Sequence, residues 1–165
     1  MSELNPSQRH ILKTWIAAIL WLILITLESS SLGSAANTSR FLYPLLHFLI
    51  GLDPIRFQVW HVYIRKTGHF VGYFMLSLLL FRAWRATLAQ SGAGGWSILW
   101  AGIALSMTGL VASLDEWHQT YLTSRTGTIE DAFLDSFAAL TAQLVIYLVL
   151  RNRQPVSRRE VVEGS

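Results

Sequence analysis

Ionisable residues interrupt the apolar stretches of this chain, and their types could form one polar site. An ionisable side chain at or inside a membrane edge is costly, so each one is a functional-site hypothesis with the others as its partners. If the apolar stretches are membrane helices, these residues all fall on the same face of the membrane. We therefore predict a single shared site made of Lys66, His69, Asp115, Glu116, Arg125, Asp131 and Asp135.

The spacing of these residues adds two neighbours and arranges the set on three helices. Residues three or four positions apart share one face of an α-helix. Asp115 and Glu116 are adjacent, and a helix turns them about 100° apart, so at most one of them can face His69 squarely. The predicted stripes are Lys66 with His69 and Tyr73, Asp115 or Glu116 with Gln119, and Asp131 with Asp135.

Two roles fit these residue types. A carboxylate that orients a histidine is a common acid/base arrangement, which makes His69, Asp115 and Glu116 candidate catalytic residues. The structural alternative is a buried polar network that holds three helices together. We predict that the other members bind a substrate or ligand: Lys66, Tyr73, Gln119, Arg125, Asp131 and Asp135.

The two cations of the set have alternatives of their own. Lys66 and Arg125 could bind an anionic group such as a lipid phosphate. Lys66 could equally extend its ammonium group to the membrane surface as an ordinary interfacial residue. Arg125 could instead form an ion pair with one of the nearby carboxylates. The carboxylates could also bind Mg²⁺ or Ca²⁺. Their spacing is not diagnostic, so we assign no metal ligand and no cofactor. The carboxylates considered are those of Asp115, Glu116, Asp131 and Asp135.

Composition indicates one small integral membrane domain. The chain has 165 residues, of which 52% are hydrophobic and 14% charged, whereas soluble domains carry about 25% charged residues. The basic residues behind the net charge of +3 cluster at the ends of apolar segments, which argues against a nucleic-acid partner. The chain has no cysteine, which excludes disulfides and thiolate sites.

We predict an all-α fold, an integral membrane four-helix bundle with an interfacial amphipathic segment after the first span. The first span begins after Lys13 and passes Glu28, and the segment at 41–63, broken at Gly51 and Pro54, lies in the membrane interface. Residues 1–150 form the membrane domain and 151–165 a disordered cytoplasmic tail. The other spans are predicted at 66–84, 96–114 and 129–150, with a turn at 90–95 before the third.

Two further expectations concern the first and second spans. The first span could alternatively be a cleaved signal peptide, with Arg9 and Lys13 as its basic region and residues 33–36 as its cleavage site. In the second span, Gly68 and Gly72 are spaced like small residues that let membrane helices approach closely, so we expect both to face another helix.

Lysine and arginine positions predict the topology. Eight lie at the N-terminus, in the second connection and in the C-terminal tail: Arg9, Lys13, Arg82, Arg85, Arg151, Arg153, Arg158 and Arg159. Five lie in the other two connections: Arg40, Arg56, Arg65, Lys66 and Arg125. The positive-inside rule places both termini in the cytoplasm and the polar site at the outer face of the membrane, which in a bacterium is the periplasmic or external leaflet.

The ordered motifs resemble the VanZ-like family of small bacterial membrane proteins over about residues 65–140. The family pattern is Lys-x-x-His-Phe-x-x-Tyr, then Asp-Glu-x-x-Gln, an arginine, and Asp-x-x-x-Asn followed by glycine. The chain departs from it at Asp135, where the family usually has asparagine, and at Ala138, where it usually has glycine. The matching residues are Lys66, His69, Phe70, Tyr73, Asp115, Glu116, Gln119, Arg125 and Asp131.

This resemblance implies a cell-envelope protein, linked in the best-known member to low-level resistance to the glycopeptide teicoplanin. Two function classes are compatible with the site. In the first, an outer-leaflet pocket binds an anionic lipid or glycolipid headgroup without catalysis. In the second, the pocket belongs to a hydrolase or transferase that acts on a lipid-linked phosphate, with His69 as acid/base and Arg125 stabilising charge. Either way, the expected partners are membrane lipids or a lipid-linked envelope precursor.

Overall fold

The chain is all-α, as predicted. The computed structural model describes residues 4–89, 95–125 and 127–151. Most of the predicted turn at 90–95 and all of the predicted tail beyond Arg151 lie outside these residues. The helices are α1 at Pro6–Ser29, α2 at Ala35–Ile50, α3 at Pro54–Leu88, α4 at Ile98–Gln119 and α5 at Ile129–Arg151, with a short 3₁₀ turn at Ser31–Gly33.

The predicted break at Gly51 and Pro54 is confirmed. Gly51 ends α2 with φ of 65°, a left-handed conformation that glycine adopts without steric cost. Asp53 then caps α3, because its Oδ1 accepts hydrogen bonds of 3.0 Å from the backbone N–H groups of Ile55 and Arg56. Pro54 occupies the first position of α3, where its missing N–H costs nothing.

The segment predicted as one interfacial element at 41–63 is divided between two helices. Its first part belongs to α2, which has no buried residue and exposes 85% of Phe48. Its second part forms the opening turns of α3, and the helix continues through the predicted span without a break. Nothing between Pro54 and Lys66 stops a helix, so α3 reaches 35 residues, about 52 Å at 1.5 Å per residue.

Three helices are long and apolar enough to cross a membrane, namely α1, α4 and α5. Each exposes many large apolar side chains, which suits a lipid environment. The second predicted span, within α3, does not reach this level, because only 15 residues separate Lys66 from Arg82 and they include His69 and Tyr73. The chain is therefore a multi-pass membrane protein with at least these three candidate spans.

The helix α3 packs against α1, α4 and α5, and α4 also packs against α5. Small side chains make these contacts close. The fully buried alanines are Ala83, Ala104, Ala112, Ala138, Ala139 and Ala142, each 0% exposed. A polar contact joins α3 to α5 in the same region, because Gln143 Nε2 donates to Ser77 Oγ over 2.8 Å. Alanine, the small residue with the best helix propensity, therefore lets the helices approach closely, and larger side chains such as Tyr73, Leu76 and Phe81 fill the core around it.

The predicted role of the two glycines of α3 is wrong for Gly68. A Cβ atom built on Gly68 would meet nothing within 4 Å, so this face of α3 is open. Gly72 does face α1, where a Cβ would lie 3.8 Å from Ile25 and where its carbonyl accepts a 2.9 Å hydrogen bond from Trp21 Nε1. The four-residue spacing alone could not distinguish the packed glycine from the open one.

Candidate functional site

The polar residues of the predicted site meet at one end of the helix bundle. The end of α1, the middle of α3, the end of α4 and the start of α5 come together there, with the connection between α4 and α5 lying over them. Antiparallel neighbours produce this arrangement, since α1 and α4 end where α5 begins. Every sequence-predicted site residue lies in this region, but the residues divide into separate groups of contacts.

His69 lies between two carboxylates. Its Nδ1 is 3.5 Å from Asp135 Oδ2 on α5, and its Nε2 is 3.8 Å from Glu28 Oε2 at the end of α1. The contact with Asp135 joins His69 of α3 to a carboxylate of α5, as a single shared site requires. Asp135 is completely buried, and within the described residues neither of its oxygens has a hydrogen-bond partner. His69 and Asp135 are therefore close together but incompletely satisfied.

Asp115 joins three helices through one oxygen. Its Oδ2 accepts hydrogen bonds from Ser29 Oγ of α1 at 2.6 Å, Tyr73 Oη of α3 at 2.8 Å and Gln119 Nε2 of α4 at 3.3 Å. Ser29 is 1% exposed, as is Tyr73. Asp115 itself is partly buried, and a carboxylate that receives several donors stabilises the packing around it. The contacts of Asp115 therefore match the structural alternative raised for this residue.

Glu116 points away from Asp115, as the helical turn between them requires. Its Oε2 accepts a 3.0 Å hydrogen bond from the backbone N–H of Thr128, and its Oε1 lies 3.5 Å from Gln119 Nε2. Gly127 permits this approach, since a Cβ there would overlap the carbonyl of Glu116 and lie 3.0 Å from the backbone nitrogen of Thr120. Glu116 thus fixes the connection that precedes α5.

Lys66 and Asp131 form an ion pair between α3 and α5. Asp131 Oδ2 also accepts a 3.0 Å hydrogen bond from Thr128 Oγ1, whose oxygen in turn accepts from the backbone N–H of Asp131. This reciprocal arrangement caps the start of α5. The side chain of Lys66 is half exposed, so its ammonium group has an internal partner and is also accessible from outside.

Arg125 folds over this end of the bundle, but the ion pair considered for it is not formed. It is 7% exposed and donates to the backbone carbonyls of Glu28 and Ser30; within the described residues no carboxylate lies in ion-pair range. Those carbonyls belong to the end of α1, whose last carbonyls lack helical partners. Burial lowers the pKa of the Arg125 guanidinium, and the nearby positive charge of Arg65 acts in the same direction.

Arg65 joins two depressions on this side of the bundle. One is a polar pocket of about 180 Å³ that His69, Lys66 and Glu116 help to line. The other is an apolar groove of about 430 Å³ between α2 and α3, lined in part by Phe41, Leu42, Leu45 and Ile64. Arg65 lines both, and its Nε is buried without a hydrogen-bond partner in the described part of the chain.

Four residues of this region were missed from sequence. Glu28 and Ser29 lie at the end of the first apolar run, where a lone carboxylate before three serines was a usable signal. Thr128, three positions before Asp131, has the spacing of a helix cap. Arg65 stands beside Lys66, and no signal in the sequence indicates that both of these adjacent cations line the pocket.

The fold and the site define a small all-α multi-pass membrane protein whose polar residues converge at one end of its helices. A sequence model of the VanZ/LLP1 family matches residues 14–151. The chain therefore belongs to the VanZ/LLP1 family, which confirms the resemblance of its motifs. No curated protein matches the chain, and no solved structure does.

Proposed function

We propose that this VanZ/LLP1 protein binds an anionic membrane lipid or glycolipid, with the headgroup at the polar pocket and an acyl chain in the apolar groove. The position of Arg65, which lines both spaces, is the observation that carries the proposal. A guanidinium group is suited to a phosphate or carboxylate. Binding of such a lipid would alter the envelope surface, and through it the susceptibility to glycopeptides such as teicoplanin.

The membrane arrangement is part of the proposal. The segment at 66–84 of α3 serves as the second of four spans, both termini are cytoplasmic, and α2 lies in the outer interface. Two observations support this arrangement. The helices α1, α3, α4 and α5 pack together, and α2 exposes apolar side chains without burying any. The polar pocket and the groove then open at the outer leaflet of the bacterial inner membrane.

Reporter fusions test this topology. Reporters fused after Ala89 and after Arg151 are expected to report a cytoplasmic position. Reporters fused after Ile50 and after Thr123 are expected to report a position on the outer side of the membrane. The expectation follows from the distribution of lysine and arginine. Cytoplasmic activity at both Ile50 and Ala89 would show that α3 does not cross the membrane.

Lipid binding to purified protein tests the site. Native mass spectrometry from detergent is expected to show phosphatidylglycerol bound at least tenfold more tightly than phosphatidylcholine with the same acyl chains. Arg65→Gln should remove this preference, because the Arg65 guanidinium group, whose Nε has no hydrogen-bond partner in the described residues, supplies the charge complementarity. The matched control is Arg40→Gln, an exposed arginine of α2 that lines neither the pocket nor the groove.

A second variant tests the binding of the acyl chain separately from that of the headgroup. Gly68 lines the groove and has open space around it, so Gly68→Leu fills the groove without disturbing the core. This variant should weaken the binding of both lipids to the same extent. Equal binding of the two lipids by the wild type, or an Arg65→Gln variant that behaves like Arg40→Gln, would show that this is not an anionic-lipid site.

The second candidate is an enzyme acting on a lipid-linked phosphate, and one observation favours it. His69 lines the polar pocket with a carboxylate 3.5 Å from its Nδ1, the geometry of an oriented acid/base. Lipids that co-purify with the wild type and with His69→Ala distinguish the two functions. Product lipids present only with the wild type indicate turnover, whereas the same intact lipid in both indicates binding alone.

A further inference from the structure

We propose that His69, Glu116 and Asp135 form a binding site for one divalent transition-metal ion, of the Zn²⁺ or Mn²⁺ type, where α3, α4 and α5 meet. This inference goes beyond lipid binding and does not depend on it. The three residues come from three different helices, so an ion at this position would join them. The set differs from the all-carboxylate set considered from sequence, because two of those carboxylates are occupied by other partners.

The distances between the potential ligand atoms are near those of a metal site. One nitrogen of His69 and one oxygen each of Glu116 and Asp135 lie within 4.8 Å of one another. Two ligands about 2.1 Å from a tetrahedral ion are about 3.4 Å apart. The 3.5 Å between His69 Nδ1 and Asp135 Oδ2 is close to this value, and the Glu116 oxygen lies within 4.8 Å of the other two ligand atoms.

An independent observation is the state of Asp135. Its side chain is 0% exposed, and in the described residues both of its oxygens lack a hydrogen-bond partner, as does His69 Nδ1. A buried carboxylate without hydrogen-bond donors is strongly unfavourable, and the described contact of Asp135 with a basic group is the one at 3.5 Å to His69. Asp115 and Asp131 are satisfied by hydroxyl, amide and ammonium donors. Asp135 is thus the carboxylate of this region that needs a cation.

The charges of the region also favour a cation. Five carboxylates meet here, those of Glu28, Asp115, Glu116, Asp131 and Asp135. Three side-chain cations accompany them, those of Arg65, Lys66 and Arg125. One divalent ion would balance the ionised groups. It would also make the pocket less repulsive to an anionic headgroup.

The ligand types select the class of ion. One imidazole with two carboxylates is a mixed nitrogen and oxygen set that suits Zn²⁺ or Mn²⁺, whereas Mg²⁺ and Ca²⁺ prefer oxygen ligands alone. Surrounding contacts hold one of the ligands in place, because the backbone N–H of Thr128 donates to Glu116 Oε2. Such supporting hydrogen bonds orient the ligands of metal sites. We therefore expect Zn²⁺ to bind more tightly than Mg²⁺.

Metal binding to the full chain, purified without a histidine tag and stripped with a chelator in lipid-free detergent, tests the proposal. Isothermal titration is expected to give one Zn²⁺ per chain, and added Zn²⁺ should raise the midpoint temperature of unfolding. Asp135→Asn keeps the shape of the side chain but removes its charge, and should weaken binding at least tenfold. Asp53→Asn is the control, because Asp53 caps the N-terminus of α3, away from the proposed site. This variant should bind Zn²⁺ as the wild type does.

The visible spectrum of the Co²⁺-substituted protein adds a readout that a merely structural role would not change. Wild-type protein should show the intense d–d bands of low-symmetry coordination, and Asp135→Asn should lose or shift them. Absence of these bands in the wild type, or a variant indistinguishable from it, would overturn the proposal and leave His69 and Asp135 as a simple ion pair. Because lipid is absent, failure here leaves the lipid proposal standing, and the reverse also holds.

Discussion

Gly33→Ala is expected to lower the midpoint temperature of unfolding in detergent micelles by roughly 5–10 °C. A Cβ atom at this position would overlap the backbone carbonyl of Glu28 and lie 2.6 Å from Arg125 Nη2. The carbonyl belongs to a helix end and cannot move alone, so the end of α1 and the arginine must both shift. Overpacking of this kind costs about 1–3 kcal/mol.

The control for this change is Gly68→Ala, because a Cβ there meets nothing within 4 Å. Replacing glycine by alanine inside a helix is favourable by about 1 kcal/mol, so this variant should be as stable as the wild type or slightly more stable. If Gly33→Ala is equally well tolerated, the close approach of Gly33 to Arg125 and α1 is not a feature of the protein in solution.

Arg125→Ala is expected to be the most destabilising single truncation in the polar site, by about 3 kcal/mol or more. The guanidinium group is buried and donates to the carbonyls of Glu28 and Ser30. Its removal takes away the donors that the guanidinium group supplies to both carbonyls and opens a space beneath the connection between α4 and α5. The Ser30 carbonyl keeps its 3.2 Å hydrogen bond from the backbone N–H of Gly33, so the larger loss is at Glu28. Thermal unfolding followed by circular dichroism measures the loss.

Arg56→Ala is the matched control for Arg125→Ala. The side chain of Arg56 is 79% exposed and pairs with Asp53 at the start of the same helix, a contact worth less than about 1 kcal/mol. Its loss should change the unfolding temperature by no more than about 2 °C. Similar effects of the two substitutions would mean that Arg125 is a surface residue and not a tie between α1 and the connection.

Helix positions were largely predictable, and their ends were less so. The apolar runs predicted spans at 96–114 and 129–150, and the structure has Ile98–Gln119 and Ile129–Arg151. The end of α4 lies five residues later than predicted, because the charged residues there continue the helix and find partners. Hydrophobic runs report where lipid can contact a helix, and they do not report where the backbone stops being helical.

Helical spacing predicted which site residues share a face, but it could not predict which residues are partners. The distance between His69 and Asp135 depends on how α3 packs against α5, and the contact of Ser29 with Asp115 depends on the position of α1. Arg125 is the clearest case. Charge alone favoured a carboxylate partner, whereas the guanidinium group donates to the backbone carbonyls of Glu28 and Ser30 at the end of α1.

The ion pair between α3 and α5 bears on the order in which the protein is made. Asp131 follows its partner Lys66 by 65 residues, and α3 is the long helix that is not apolar enough to rank among the candidate spans. During synthesis, Lys66 and His69 emerge well before the carboxylates of α5 exist. The polar side chains of α3 therefore lack their carboxylate partners until α5 has been synthesised and packed against it. Truncation before α5 would leave α3 without its partners, so the final helix acts as the step that completes assembly.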